Sequence, residues 1–281
     1  MEIGIFARTF PADCLEQNLD AVEDSGFGIV HFNLKCAGLE SLPAEIRESR
    51  IHDIRIQFEI RDLKMAAISG TFNAIDPDLG LRKRMTERCV RLIEEAPSLG
   101  THVVTLCTGT RDPGNMWRAH PGNDSPEAWK DLLETLSRLV PIAEESGVVL
   151  GIEPELANVI NSAEKARRLL DDLQSPALGI VLDGANLISP DRHDRMGEIL
   201  RSAVDLLADR LIMAHAKDIP KESEGSQAAG RGALDWETYL KALGEVSFEG
   251  PIILHNLSPD EVKESRKFVE NHWRNLCEGG S

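Results

Sequence analysis

Four short apolar runs in the second half of the chain each end on a side chain that can bind a metal ion. The final residues are Glu153, Asp183, His215 and His255. The two-residue alternation of a β-strand puts each of them on the face opposite the aliphatic residue before it. If the four strands are neighbours, two carboxylates and two imidazoles converge on one point. Mixed oxygen and nitrogen ligands favour Mn²⁺, Fe²⁺, Co²⁺ or Zn²⁺ and suit Mg²⁺ less well, so the sequence predicts one divalent metal ion.

Polar residues beside these strand ends are candidates for supporting roles. Glu155 shares a strand face with Glu153, either as a support for that carboxylate or as a solvated side chain. Asn186 is expected to line the site. Asp218 is a candidate for orienting a ligand imidazole, because a metal-bound histidine usually donates its second ring N–H to such a group.

Two long loops, residues 108–123 and 218–232, follow predicted strands and are expected to contact a substrate. Arg111 offers a planar fork for a carboxylate or phosphate. Trp117 is interpreted either as an apolar lid or as an ordinary packing residue. The first loop lacks the Lys-Ser/Thr ending of a phosphate-binding Walker motif, so nucleotide binding is not indicated. The candidate substrate contacts in and beside the loops are Arg111, Trp117, His120, Lys217 and Arg231.

The elements that must position these residues form a regular alternation of apolar runs and amphipathic helical patterns. The repeat of roughly 35 residues is typical of βα units around a parallel sheet. Eight units fit a closed (β/α)8 barrel better than an open doubly wound sheet. We therefore predict an α/β fold with one TIM barrel domain over residues 1–281, of which 278–281 form a frayed tail. The predicted strands are residues 3–7, 29–33, 65–71, 103–107, 148–153, 178–183, 211–215 and 251–255.

Helix boundaries are marked by typical capping residues. Ser125, Ser162 and Ser258 are predicted to cap helix N-termini, and two of them precede a proline that suits the first helical position. Gly147 is predicted to end the helix that begins after Ser125.

Composition and charge exclude several classes of function. The net charge of −16 argues against a nucleic acid or an anionic membrane as the main partner, since either requires a basic face. Five widely spaced cysteines without a CxxC motif indicate reduced thiols. No leader-like segment and no apolar stretch of about 18 residues is recognised, so we expect a cytoplasmic protein that does not span a membrane.

The ordered strand-end set resembles the xylose isomerase-like, or sugar phosphate isomerase/epimerase, family of barrels, which also includes AP endonuclease IV. The segment Gly230-Arg-Gly-Ala-Leu-Asp-Trp236 is similar to a family element that follows strand seven. The resemblance implies one divalent metal bound by Glu, Asp, His and Glu at strands five to eight. Glu153, Asp183 and His215 match these positions, but His255 stands where a glutamate is usual.

The resemblance implies an isomerase or epimerase that acts through an enediolate on a small sugar, sugar phosphate or related keto-polyol. Glu153 would be both ligand and base. His255 would be a ligand or an acid–base group, and one nitrogen cannot serve as both. A structural role is the alternative for His255 and for His215, whose strand register favours ligation. Other interpretations are an inosose-dehydratase-like lyase and a sugar-binding barrel without turnover. An AP endonuclease would need a basic groove. The resemblance also implies a homodimer.

Overall fold

Eight parallel strands alternate with helices in the computed structural model, which describes residues 2–220 and 226–279. A short strand, β8, pairs antiparallel with the end of β7. The strands are β1 Ile3–Phe6, β2 Ile29–Phe32, β3 Lys64–Ser69, β4 Val103–Cys107, β5 Val149–Glu153, β6 Leu178–Asp183, β7 Leu211–Asp218, β8 Gln227–Ala228 and β9 Ile252–Leu254. The α-helices are α1 Leu15–Asp24, α2 Glu48–Glu59, α3 Leu79–Leu99, α4 Pro126–Ser146, α5 Ala163–Leu173, α6 Met196–Leu207, α7 Trp236–Glu245 and α8 Val262–Gly279.

The parallel strands form a closed ring. Each of β1 to β6 pairs with the next strand, β6 pairs with β7, β7 with β9, and β9 with β1. The predicted (β/α)8 barrel is therefore confirmed. The register sets Asp183 opposite His215, and His215 opposite Ile253, two residues before His255.

The barrel interior below the strand ends is filled by a small apolar cluster. Glycines at interior positions of β5 and β6 make room for neighbouring side chains: a Cβ on Gly179 would lie 2.8 Å from the Ile212 side chain. The polar strand ends above therefore rest on a packed apolar layer. The cluster comprises Ile29, Ala67, Val181, Met213 and Ile253.

The predicted helix caps are present. The side chain of Ser125 accepts a hydrogen bond from the Ala128 N–H, and that of Ser162 accepts one from the Lys165 N–H. Ser258 and Glu261 form a capping box. Gly147 ends α4 in the left-handed conformation, with φ 63°.

One strand boundary differs from the sequence-based expectation. Strand β7 continues past His215 to Asp218, because its last residues pair with β8. Helix α8 continues to Gly279, and the frayed tail over residues 278–281 stays a prediction. Residues 280 and 281 lie outside the described part of the chain. No helix among the described residues is long and apolar enough to cross a membrane.

Candidate active site

A cavity of about 1090 Å³ opens at the carboxyl ends of the barrel strands. Side chains on the barrel strands or within three residues of their carboxyl ends, together with others from the loops, line it. This is the end of the barrel where TIM barrel enzymes build their active sites. Glu153, Glu155, Asn186, His215, Lys217 and His255 all line this cavity, together with Trp117 and Arg231 from the loops.

Asp183, His215 and His255 form a group suited to a metal ion. One potential ligand atom from each lies within 4.8 Å of those from the other two. His215 Nε2 and His255 Nδ1 are buried and have no hydrogen-bond partner among the described residues. Asp183 Oδ2 has only an ion-pair contact, 3.1 Å from Lys217 Nζ. Buried polar atoms are normally paired, so this group of one carboxylate and two imidazoles fits a divalent cation.

Glu153 lies beside this group and contacts it through His215. Its Oε1 accepts a hydrogen bond from Asn186 Nδ2 at 2.9 Å and lies 3.1 Å from His215 Nδ1. If Nδ1 carries the proton and donates to Glu153, then Nε2 presents its lone pair as a ligand. Glu153 thus makes the imidazole-orienting contact expected of Asp218, and its own ligation of a metal stays a prediction.

The charges of the group act on one another strongly. Burial raises the pKa of the Glu153 carboxyl, but His215, with its hydrogen bond, His255 and Lys217 outweigh burial and lower that pKa to about 2. Burial alone would lower the pKa of His215, whereas the Glu153 and Asp183 carboxylates raise it above its ordinary value. Burial, reinforced by His215, lowers the pKa of His255 to about 3. At neutral pH, Glu153 is therefore a carboxylate and His255 a neutral imidazole.

Lys217 and Asn186 connect the carboxylates of the site. Lys217 pairs with Asp183 and donates a hydrogen bond to Asn186 Oδ1, and Asn186 donates in turn to Glu153. Burial opposes the positive charge of Lys217, but Asp183, Glu153 and Glu155 raise its pKa overall. Glu155 accepts no hydrogen bond from Asp183, His215 or His255. Burial raises the pKa of its carboxyl to about 7.

Four aromatic rings form a closed cluster at the site. One of them belongs to His31, a residue that the sequence analysis did not identify. The His215 and His255 rings are parallel within 3°, with centroids 4.9 Å apart. His31 stacks on His215 at 5.6 Å, and Phe6 lies against both His31 and His255. His31 Nε2 is 3.0 Å from Thr105 Oγ1, while Nδ1 is buried without a partner in the described residues. The available signal was a histidine at the centre of the predicted strand 29–33.

Asp218 corrects one expectation. Its carboxylate does not orient an imidazole; it accepts four hydrogen bonds from the chain around itself and the loop before α7. Oδ1 accepts from the N–H groups of Ile219 and Leu234, and Oδ2 accepts from the Gly230 N–H and Trp236 Nε1. The side chain is 1% exposed. Asp218 thus fixes the Gly-x-Gly-x-Leu-Asp-Trp segment to the end of β7.

We expect Asp218→Asn to lower the free energy of unfolding by on the order of 3 kcal/mol. The substitution replaces a buried carboxylate that accepts four hydrogen bonds, and the NH₂ of the new amide would face N–H donors of the chain. Urea unfolding followed by circular dichroism measures this change. Asp205→Asn, at an exposed position on α6, is the matched control with no expected change. Equal stability of both variants would contradict the role of Asp218.

Two predicted substrate contacts do not reach the cavity. The Arg111 guanidinium lies 2.6 Å from the Asp131 carboxylate of α4, 17% exposed, and also donates to the Ile75 carbonyl. His120 Nδ1 accepts a hydrogen bond from the Gly122 N–H at the start of a short 3-10 turn. Both side chains serve the conformation of loop 108–123. Trp117 does line the cavity, 54% exposed, and Arg231 lines it while paired with Glu264.

Comparison with known proteins places this barrel among related ones. A model of the xylose isomerase-like TIM barrel family matches residues 19–272. The chain belongs to this family. The resemblance inferred from the strand-end residues is thereby confirmed.

The curated proteins that match this xylose isomerase-like barrel are distantly related to it. An uncharacterized protein of Methanocaldococcus jannaschii is 23% identical over 97% of this chain and 89% of its own length. A ketose 3-epimerase of Arthrobacter globiformis is 29% identical over 42% of this chain and 37% of its own length. A mannonate dehydratase of Brachyspira hyodysenteriae is 24% identical over 48% and 41%, respectively. The alignments with the two named enzymes thus span less than half of each protein.

Solved structures share the fold over nearly the whole chain. A D-tagatose 3-epimerase-like protein superposes with a TM-score of 0.78 at 17% identity, covering 100% of both chains. A xylose isomerase-like TIM barrel protein from Mycobacterium smegmatis in complex with magnesium gives 0.73 at 17% identity, covering 98% and 96%. The IOLI protein with a bound zinc atom gives 0.73 at 19% identity, covering 98% of each chain. At these identities the likeness establishes the fold.

Proposed function

We propose that this barrel is a divalent-metal-dependent isomerase or epimerase acting on a small sugar, sugar phosphate or related keto-polyol. The observation that carries the proposal is the convergence of ligand atoms from Asp183, His215 and His255, each of which has a buried polar atom without a hydrogen bond among the described residues, beside the ionised Glu153 at a large cavity. The similarity to a ketose 3-epimerase over part of the chain supports the reaction class. The magnesium and zinc in related barrels support the kind of ion.

Asp183, His215 and His255 would hold the ion. When bound, a divalent cation supplies Lewis-acid polarisation of a substrate carbonyl and hydroxyl. The surrounding side chains keep the three ligands in place. Glu153 orients the His215 ring, and the backbone N–H of Ala185 donates to Asp183 Oδ1 at 2.9 Å. Lys217 offsets the negative charge of the cluster next to Asp183.

Glu153 is the base of the proposed reaction. Its Oε1 is occupied by Asn186 and His215, whereas Oε2 has only Cys107 Sγ nearby, at 3.9 Å. Oε2 is therefore the oxygen that takes a proton from the carbon next to the carbonyl and returns it. This carboxyl is ionised at neutral pH and is therefore in the protonation state that can accept a proton.

The arrangement favours proton return by a single base. Epimerisation of one carbon by two bases requires proton-transfer groups on opposite faces of the substrate. Of the cavity carboxylates, Glu153 and Glu155 both come from the end of β5, Glu261 accepts hydrogen bonds from the N–H and hydroxyl of Ser258, and His255 belongs to the metal-ligand group. Movement of a proton between neighbouring carbons of a ketose needs only one base, so the geometry supports isomerisation over two-base epimerisation.

A dehydration on the same site is the second candidate. It begins with the same proton removal and then requires an acid for the departing hydroxyl. Glu155 is a second carboxyl in the cavity, two residues from Glu153, and the partial similarity to a mannonate dehydratase points the same way.

Metal analysis and solvent-deuterium exchange test the proposal together. We expect about one divalent ion per chain, together with deuterium incorporation from D₂O into a trial ketose. Chelation should abolish the exchange, and Mn²⁺ should restore it. Proton NMR of the products separates isomerisation from dehydration. Exchange that is insensitive to chelation, or purified protein that neither contains nor takes up an ion, would refute the proposal.

A further inference from the structure

Charge is distributed unevenly around the cavity. The carboxylates that line it, Glu153, Glu155 and Glu261, all belong to β5 or later elements. Within the described residues, the part of the lining contributed from β1 to β4 contains no carboxylate but two cations, Arg8 and Lys35. The cations therefore lie on the β1–β2 part of the cavity, next to β9, whose end carries His255.

Arg8 and Lys35 differ from the other cations of the site, because among the described residues their side chains make no hydrogen bond and no ion pair. By contrast, Lys217 pairs with Asp183 and Arg231 with Glu264. Both free side chains are exposed to the cavity. In a chain with a net charge of −16, two unpaired cations facing one cavity create a local field opposite to the global one.

The backbone brings the two cations to one place. β1 and β2 pair in parallel with Phe6 opposite His31, so Arg8 and Lys35 follow adjacent strand ends. β1 also pairs with β9, with Ile5 opposite Leu254, so Arg8 follows the strand next to the one that ends at His255. The charge of Arg8 acts on Cys36, the neighbour of Lys35 in sequence.

Polar groups next to the cations complete a binding surface. Asn33 Oδ1 accepts hydrogen bonds from the Lys35 N–H at 3.0 Å and from Ser41 Oγ at 3.2 Å, which fixes the short turn Leu34–Ala37 at the cavity edge. Glu261, the acid that follows β9, makes no ion pair with Arg8 or Lys35; its carboxylate accepts hydrogen bonds from the Ser258 N–H at 2.8 Å and from Ser258 Oγ at 2.7 Å.

We propose that Arg8 and Lys35 form a subsite for an anionic end group of the substrate, a carboxylate or a phosphate, while the reacting carbons lie at the Asp183, His215 and His255 group. The assignment of the ligand as a substrate rests on the proposed function. The substrate class is then a sugar acid or a sugar phosphate. An arginine fork and a lysine ammonium together match the oxygens of such a group, and neither is otherwise engaged.

Binding affinities test this subsite. The metal-replete protein is titrated calorimetrically with D-fructose, D-fructose 6-phosphate and D-gluconate. We expect at least one of the anions to bind about tenfold or more tightly than D-fructose. Arg8→Gln and Lys35→Gln should each lower the affinity for that anion by about tenfold, since each removes one hydrogen bond to a charged group. The affinity for D-fructose should not change. The comparison of the two anions distinguishes phosphate from carboxylate.

The matched control is Lys130→Gln, which removes an exposed lysine on α4 that does not line the cavity. It should bind all ligands as the unmodified protein does. Equal affinity for D-fructose and both anions, no measurable binding of either anion, or an anion preference that survives both substitutions would overturn the subsite. Repeating the titrations after chelation separates this result from the proposed function, because the cations need no metal to bind an anion.

Discussion

Replacing His215 with alanine is expected to leave the protein without a stoichiometric metal ion and without measurable deuterium exchange. The variant removes one of three converging ligand atoms and the ring that Glu153 orients. Loss of groups that merely support a ligand weakens metal binding about 10–100-fold, so loss of a ligand should exceed that range. Metal content after dialysis and exchange into a trial ketose measure the two effects.

His52→Ala is the control for this experiment, since it removes an exposed imidazole on α2 outside the cavity. It should retain both metal and exchange. Circular dichroism of His215→Ala verifies that the barrel is intact. Full metal occupancy in a folded His215→Ala variant would show that the ion binds at a site that does not include His215.

Glu153→Gln is expected to slow the exchange by about 10²–10⁴-fold while the protein keeps its metal ion, because the amide preserves the shape of the side chain but cannot take a proton. An amide oxygen can still accept the hydrogen bonds that Asn186 and His215 give to Oε1. Metal analysis and exchange on the same sample measure the two properties.

Glu127→Gln, in the exposed first turn of α4, is the control and should change neither property. Loss of metal together with exchange would assign Glu153 to the ligands, as the family resemblance implies. Retained exchange would place the base on another residue.

The sequence predicted the barrel well because each strand is an apolar run with clear ends. The same alternation that buries Leu150 and Ile152 fixes the direction of Glu153. The ends of strands were less predictable where tertiary pairing decides them. β7 extends to Asp218 only because a two-residue strand, too short to recognise in the sequence, returns along it.

The site was predictable where strand register alone determines position, as for Asp183, His215 and His255. It was not predictable where a side chain has two equally plausible partners. Arg111 could serve a substrate, but Asp131, 20 residues later on α4, holds it. Arg8 and Lys35 carry no motif, and their significance depends on which acids lie near them in space.

The four hydrogen bonds at Asp218 also bear on how this barrel could be redesigned. TIM barrel chemistry commonly diversifies by exchange of the loops that follow the strands. Here the loop before α7 is completed by a carboxylate that belongs to the same strand as His215, three residues away. A graft that replaced this loop would leave the buried Asp218 carboxylate without these hydrogen bonds, close to the Asp183, His215 and His255 group. The loop and β7 therefore form one structural unit, and new specificity is more readily engineered in loop 108–123 or at the β1–β2 edge.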